Sequence, residues 1–225
     1  MKCPLCESEK VEYKFELEKN KLYKCKTCEL EFLEDYKKDR SELYQKGYWV
    51  DEENPEILKC KEKNYKEIIK EIPKGKILDY GGGYGSFVNY VGKKGFEIDL
   101  YDPHLSNNEI KNKKYDAITL FDVIEHIQNP LEIIEELKNM LKPNGIIILI
   151  TPDTNEISNK ILKIKWPHYK YEHVLLYNRN SIKKLGELTN LKIEKIENIK
   201  YNYNLEYIEE YSKKYPVYGM RNIKF

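Results

Sequence analysis

Four glycines within five positions set the centre of this chain. In Lys76-Ile-Leu-Asp-Tyr-Gly-Gly-Gly-Tyr-Gly-Ser-Phe87 a short apolar run ends in Asp79, and Ser86-Phe-Val88 then opens a helix. The pattern reads as a strand, a tight turn and a helix N-terminus. Glycine is required where the backbone takes positive φ or where a ligand comes close to it. The helix start adds exposed N–H groups and the positive end of a dipole, which favour carboxylate or phosphate. The stretch is therefore a nucleotide-type cofactor cradle, and the strand-turn-helix order requires an α/β fold around it.

The rest of the chain supplies that fold. Strands are expected at Lys76–Tyr80, Phe96–Asp102, Ala117–Phe121 and Ile146–Ile150, the last buried on both faces. Helices are expected over Pro55–Ile72, from Ser86 to Gly92, and over Pro130–Leu141. Between His104 and Lys114 a strand is short or absent. Asn155–Ile164 is read as helical, and Ser181 as the N-cap of a helix to Leu188. Leu191–Ile199 alternates like an edge strand, and Pro216–Phe225 would close the sheet as an antiparallel strand. The fold class is a Rossmann-like sheet, mostly parallel with its last strand antiparallel, carrying a small N-terminal module.

That module is residues 1–38, with the larger domain at 39–225. Cys3-Pro-Leu-Cys6 and Cys25-Lys-Thr-Cys28 are separated by eighteen residues, and the alternating Val11–Leu17 lies between them. Two knuckles on strand hairpins at this spacing suit a tetrahedral, structural zinc site with Cys3, Cys6, Cys25 and Cys28 as ligands. A segment this small would draw much of its folding energy from the metal. The connector 39–53, with Tyr44, Tyr48 and Trp49, would pack the ribbon onto the larger domain or form a flap over the cofactor. No membrane segment stands out, and paired cysteines without a leader place the chain in the cytoplasm. A net charge of +1 gives no field that steers a polyanion, which puts nucleic acid second among partners.

Two cofactors compete for the glycine turn. A dinucleotide fold uses Gly-x-Gly-x-x-Gly, but here Gly81, Gly83 and Gly85 have single spacers and position 86 is serine. Asp79 would repel a diphosphate and tolerate a sulfonium or ammonium, which favours S-adenosylmethionine.

With these residues the sequence resembles a class I S-adenosylmethionine-dependent methyltransferase from about Leu43 to Phe225. Ile77–Phe87 resembles the family's first motif. Tyr115-Asp-Ala-Ile-Thr-Leu-Phe-Asp-Val-Ile-Glu-His-Ile127 followed by Asn129-Pro130 is similar to the ubiquinone-type and sugar-modifying branch. Lys142–Ile147 and Thr151-Pro152 resemble the fifth-strand motif. The resemblance implies that Asp79, Tyr80, Gly81, Gly83 and Gly85 face the methionine and ribose part of the cofactor. It also implies that Asp102 accepts the ribose hydroxyls and that Phe121 and Asp122 border the sulfonium end. The four-cysteine ribbon resembles that of methyltransferases acting on surface sugars and natural products; some ribosomal-RNA methyltransferases also carry a zinc module.

Methyl transfer depends on alignment, and an oxygen acceptor adds a need for a base. His173, after the aromatic, lid-like segment Lys165–His173, and His126 are the candidates. The competing reading gives both a structural role, His173 ordering its loop through a hydrogen bond. Asp122-x-x-Glu125-His126 with His173 also resembles the divalent-metal group of related quinone and RNA-end enzymes, where Mg2+ or Mn2+ lowers a hydroxyl pKa. The leading function is O-methylation of a small molecule such as a nucleotide sugar or surface-glycan precursor. The alternatives are an RNA methyltransferase gripping its substrate through the ribbon and a non-catalytic cofactor-binding scaffold.

Overall fold

The computed structural model describes residues 1–44, 55–105, 110 and 112–198. A parallel sheet carries the order β5-β4-β6-β7. Its strands are β4 (Lys76–Tyr80), β5 (Glu97–Tyr101), β6 (Tyr115–Phe121) and β7 (Leu141–Ile150). The crossovers are α2 (Ser86–Gly92) and α3 (Pro130–Asn139), and α1 (Pro55–Ile68) precedes the sheet. All four strands run the same way, so their carboxyl ends share one edge. From β4 the chain goes first to one side and then, with β6, to the other. That reversal is the switch point where open α/β sheets bind ligands.

Burial explains the strand order. Ile77, Leu78, Ala117, Ile118 and Leu120 are fully buried in the two central strands. One sheet face packs on Tyr65, Ile68, Phe87 and Val91 of α1 and α2. The other packs on Leu137 of α3 and on Tyr115. β7 differs from the expected doubly buried strand. Ile146–Ile150 are only half-buried, because β6 is β7's one described sheet neighbour although side chains reach both faces.

A second, antiparallel sheet has the order β1-β2-β3-β8. β1 (Val11–Leu17), β2 (Asn20–Cys25) and β3 (Glu31–Leu33) belong to the N-terminal ribbon. β8 (Leu175–Leu176) comes from the far end of the chain and pairs Phe32 with Leu175 and Glu31 with Leu176. Ribbon and larger unit therefore share a core: Cys3, Leu5, Cys25, Cys28 and Phe32 pack with Ile124, Ile134, Tyr177 and Leu185.

Several local expectations are corrected. The cap of α5 (Arg179–Leu188) is Asn178, whose carboxamide accepts from the backbone of Asn180 and Ser181. Ser181 instead returns the bond to the Asn178 backbone, which completes a capping box. Residues 191–198 form no strand among the described residues; only Leu191 and Ile196 of the alternating run are part-buried there, and the exposed Ile193 lies over Gly186. The segment Lys165–His173 is no open lid. Trp166 and Tyr169 are buried against Leu17, Leu22 and Leu33 of the ribbon, and the Tyr169 hydroxyl donates to Glu31 at 2.8 Å. Tyr48, Trp49 and the closing strand expected at Pro216–Phe225 lie outside the described residues. No described helix is long and apolar enough to cross a membrane.

Candidate functional site

The glycine turn leaves β4 under tight constraint. Gly81, Gly83 and Gly85 all have positive φ, and the Gly81 amide donates to the Tyr101 carbonyl at 2.7 Å. Gly82, to which the sequence assigned no role of its own, is more confined than Gly81 or Gly85. A Cβ there would lie 2.3 Å from Asp79 Oδ2 and 2.5 Å from Leu100. Its signal was present in the unbroken Gly81-Gly-Gly83 run, which turn geometry alone does not require.

Asp79 is buried beneath this turn, and Thr119 Oγ1 donates to its Oδ1 at 2.7 Å across the β4–β6 pairing. Thr119 was also missed, since a threonine inside an apolar strand reads as packing until its cross-strand partner is known. Tyr80 is half-buried and packs at a tilt on Tyr101, with ring centroids 5.3 Å apart. Asp102, after β5, accepts from the Gly83 amide at 3.1 Å and from the His104 amide at 2.9 Å. These amides fix the carboxylate's orientation toward the turn. A cradle that excludes even a Cβ, flanked by two oriented carboxylates, fits a cofactor carrying both a diol and a cationic centre.

Phe121 closes β6 with its ring against Phe87, centroids 4.8 Å apart. Asp122 follows with φ +54°, strained for a non-glycine residue, and its amide donates to Ile150 at 2.9 Å. This turn aims the next residues across the sheet edge. Glu125 and His126 sit in the 3-10 turn Ile124–His126, and Thr151 Oγ1 after β7 donates to Glu125 Oε2 at 3.0 Å.

Glu125, His126 and His173 bring one potential ligand atom each to within 4.8 Å of one another. Asp122, expected as a member, falls outside this group because its reversed φ turns it to solvent. His173 Nδ1 lies 2.8 Å from the His168 carbonyl and His126 Nδ1 lies 3.0 Å from the Glu172 carbonyl. A carbonyl only accepts, so both Nδ1 atoms carry the proton and both Nε2 atoms keep a lone pair. Burial lowers the His126 pKa to about 4 and, with His126 nearby, holds His173 well below its ordinary value. Burial first and Asp122 second push Glu125 up to about 8. Glu125 Oε1 is buried without a hydrogen-bond partner. Two imidazole lone pairs and an unsatisfied carboxylate oxygen thus converge, which is the donor set a divalent cation satisfies.

Tyr44, from the connector, joins the two halves of the site. Its hydroxyl lies 2.9 Å from His126 Nδ1, and its ring stacks on His104 with centroids 4.3 Å apart. Tyr44, His104 and His126 line a cavity of about 390 Å³ together with Arg40, Gln128 and Glu132.

In the ribbon, Cys3 Sγ lies 3.6 Å from Cys28 Sγ and Cys6 Sγ 3.6 Å from Cys25 Sγ, all four within 4.8 Å of one another. Sulfurs of a tetrahedral zinc site, each about 2.3 Å from the metal, lie roughly 3.8 Å apart. The four thiols are compatible with that geometry.

A protein-family model described as "Methyltransferase domain" matches residues 52–196. The ubiquinone biosynthesis O-methyltransferase of Rickettsia bellii (strain OSU 85-389) is 25% identical, covering 66% of this chain and 75% of the relative. That of Rickettsia canadensis is 32% identical over a shorter stretch, 36% of this chain and 44% of the relative. Among solved structures, a protein from Pyrococcus horikoshii aligns with a TM-score of 0.48 at 16% identity, covering 74% of this chain and 96% of that one. The plantazolicin methyltransferase BpumL, solved with a monoazolic desmethylPZN analogue and SAH, aligns with a TM-score of 0.42 at 17% identity, covering 75% of this chain and 79% of that one.

Proposed function

This chain belongs to the class I S-adenosylmethionine-dependent methyltransferases, and on that premise we propose that it methylates a hydroxyl oxygen of a small molecule. The observation that carries the reading is the convergence of Glu125, His126 and His173 at the strand edge beside the glycine turn. A hydroxyl is a poor nucleophile until it loses its proton, and this cluster is the means of removing it. The Rickettsia relatives, named as O-methyltransferases, support oxygen as the acceptor.

Bound S-adenosylmethionine supplies an electrophilic methyl group on a sulfonium. Asp79 and the turn Gly81–Gly85 hold its methionine and ribose part, and Asp102 receives the ribose diol. Phe121 and Asp122 border the reacting end. His126 and His173 present unprotonated Nε2 atoms, fixed by their Nδ1 bonds, where an acceptor hydroxyl can deposit its proton. Their lowered basicity makes them weak bases alone and suits them to hold a divalent ion with Glu125. Such an ion would lower the pKa of the acceptor hydroxyl. Two nitrogens and one carboxylate favour Mn2+ over Mg2+. Zn2+ in the four-cysteine ribbon would be structural, since four thiolates leave no open position.

For the acceptor we propose a hydroxyl-rich molecule of the nucleotide-sugar or glycan-precursor class. The polar lining of the cavity beside His126, with Ser41, Gln128, Asn129 and Glu132, supports it. An RNA acceptor is less favoured. On the ribbon Lys14, Lys21 and Lys26 pair with Glu31, Glu34 and Glu12, which neutralises part of the cationic face that RNA would need.

The test is methyl-labelled S-adenosylmethionine with the full chain and a panel of nucleotide sugars. It is run after EDTA treatment and again with Mn2+ restored. Label in a base-stable methyl ether, lost in His173→Gln, is the expected result. Label entering nitrogen or RNA instead would overturn the reading.

A further inference from the structure

The segment after β7 presents a surface that the chemistry above does not use. α4 (Ile157–Leu162) and the 3-10 turn Lys163–Lys165 lie beyond the carboxyl end of β7, on the sheet edge that carries the site. One side of α4 is anchored. Asn159 is buried and donates to the Thr154 carbonyl at 2.8 Å and to the Tyr169 hydroxyl at 3.1 Å. Leu162, three residues on, packs against the cluster of Leu17, Trp166 and Leu176. The helix start is fastened too, with Trp166 Nε1 donating to Glu156 Oε1 at 2.5 Å. These bonds leave the opposite side no freedom to turn inward.

That opposite side is apolar. Ile157 and Ile161, four residues apart and so on one helical face, are 73% and 72% exposed, and Ile164 is 49% exposed. Lys160, Lys163 and Lys165 are exposed among them. None of the three pairs with a carboxylate of the described residues, in contrast to Lys14, Lys21 and Lys26 of the ribbon. The cavity beside His126 includes none of these residues.

We propose that this face docks the protein onto an anionic lipid surface. Isoleucines that project between unpaired lysines satisfy both needs of an interfacial anchor, apolar burial at the acyl boundary and attraction to acidic headgroups. A second copy of the chain is a poor occupant, because an isologous contact would set the three lysines against their own copies. Nucleic acid would use the lysines and give the isoleucines nothing to bury against.

Co-sedimentation of the full chain with vesicles tests this, using phosphatidylcholine alone and a 7:3 mixture with phosphatidylglycerol. Binding to the mixed vesicles that weakens with salt is expected, with little binding to phosphatidylcholine. Ile157→Asn with Ile161→Asn should weaken it at least tenfold. Lys160→Gln should weaken it about fivefold, the contribution of one lysine near such a surface. Binding of S-adenosylmethionine, followed by calorimetry, should be unchanged in all variants, which separates lost docking from a lost fold. Failure to bind the anionic vesicles overturns the proposal, as does binding that survives the isoleucine changes. A shift in oligomeric state that those changes abolish would assign the face to a second copy instead.

Discussion

Thr119 Oγ1 donates a 2.7 Å hydrogen bond to Asp79 Oδ1 across the β4–β6 pairing, at the point where the sheet reverses its strand order. A carboxylate buried beneath a glycine turn needs donors that hold it in place. Thr119 is one of them, and it also reaches the Leu78 carbonyl at 3.3 Å. Thr119→Val keeps the shape and removes the donor. It should cost about 1–3 kcal/mol of stability, measured by urea unfolding, and weaken S-adenosylmethionine binding in calorimetry. Thr119→Ser should restore most of both losses. An unchanged affinity in the valine variant would mean that the bond serves folding alone.

Two glycines separate cradle chemistry from helix propensity. Gly82→Ala puts a methyl 2.3 Å from Asp79 Oδ2 and 2.5 Å from Leu100, so the carboxylate or the turn must move. Gly92, at the end of α2, has nothing within 4 Å of an added Cβ. Gly92→Ala should therefore leave cofactor binding intact and add up to about 1 kcal/mol of stability. Gly82→Ala should weaken the cofactor at least tenfold. Equal affinities in the two variants would remove Gly82 from the site.

How far the sequence could be read follows from how local each constraint is. The glycine turn, Asp102 after β5 and the two cysteine knuckles were legible because each is set by a few neighbouring residues. Asn178 escaped notice as the cap of α5, since Ser181 three positions later offers the same chemistry. β8 was illegible because Leu175–Leu176 is a strand only by pairing with β3, more than a hundred residues earlier. Trp166 and Tyr169 suggested a lid because aromatic loops cover ligands as readily as they fill cores. Only the ribbon's position decides between these. Asp122 was drawn into the metal group by its spacing to Glu125, and its positive φ takes it out.

The shared core ties the ribbon to the site. Cys28 packs in one cluster with Ile124, next to Glu125, and with Val174, next to His173. If zinc joins the four thiols, Cys28→Ser should lower the zinc content from one per chain, measured by atomic absorption. Loosening should then reach β8 and the loop before it. In a Trp49→Phe background, the buried Trp166 alone would report this as a red-shifted emission at a lower Tm. Zinc loss with unchanged Trp166 emission would show that the ribbon melts independently.

Glu125 sets stability against function. Its carboxyl is 1% exposed, with Oε2 taking the Thr151 hydroxyl at 3.0 Å and Oε1 unsatisfied beside two imidazole lone pairs. Without a cation, and above the pH of about 8 at which the raised carboxyl gives up its proton, three acceptors face one another. Glu125→Gln keeps an oxygen for Thr151 and turns an NH2 group toward the imidazoles, which converts a repulsive arrangement into a bonded one. At about pH 9, where the parent's carboxyl is ionised, the metal-free variant should be more stable than the metal-free parent by about 1 kcal/mol in urea unfolding. Mn2+ should raise the Tm of the parent and leave that of the variant unmoved, because a carboxamide is a poor ligand for it. A variant less stable than the metal-free parent would mean that Glu125 is held by bonds to the fold, and that the cluster is structural.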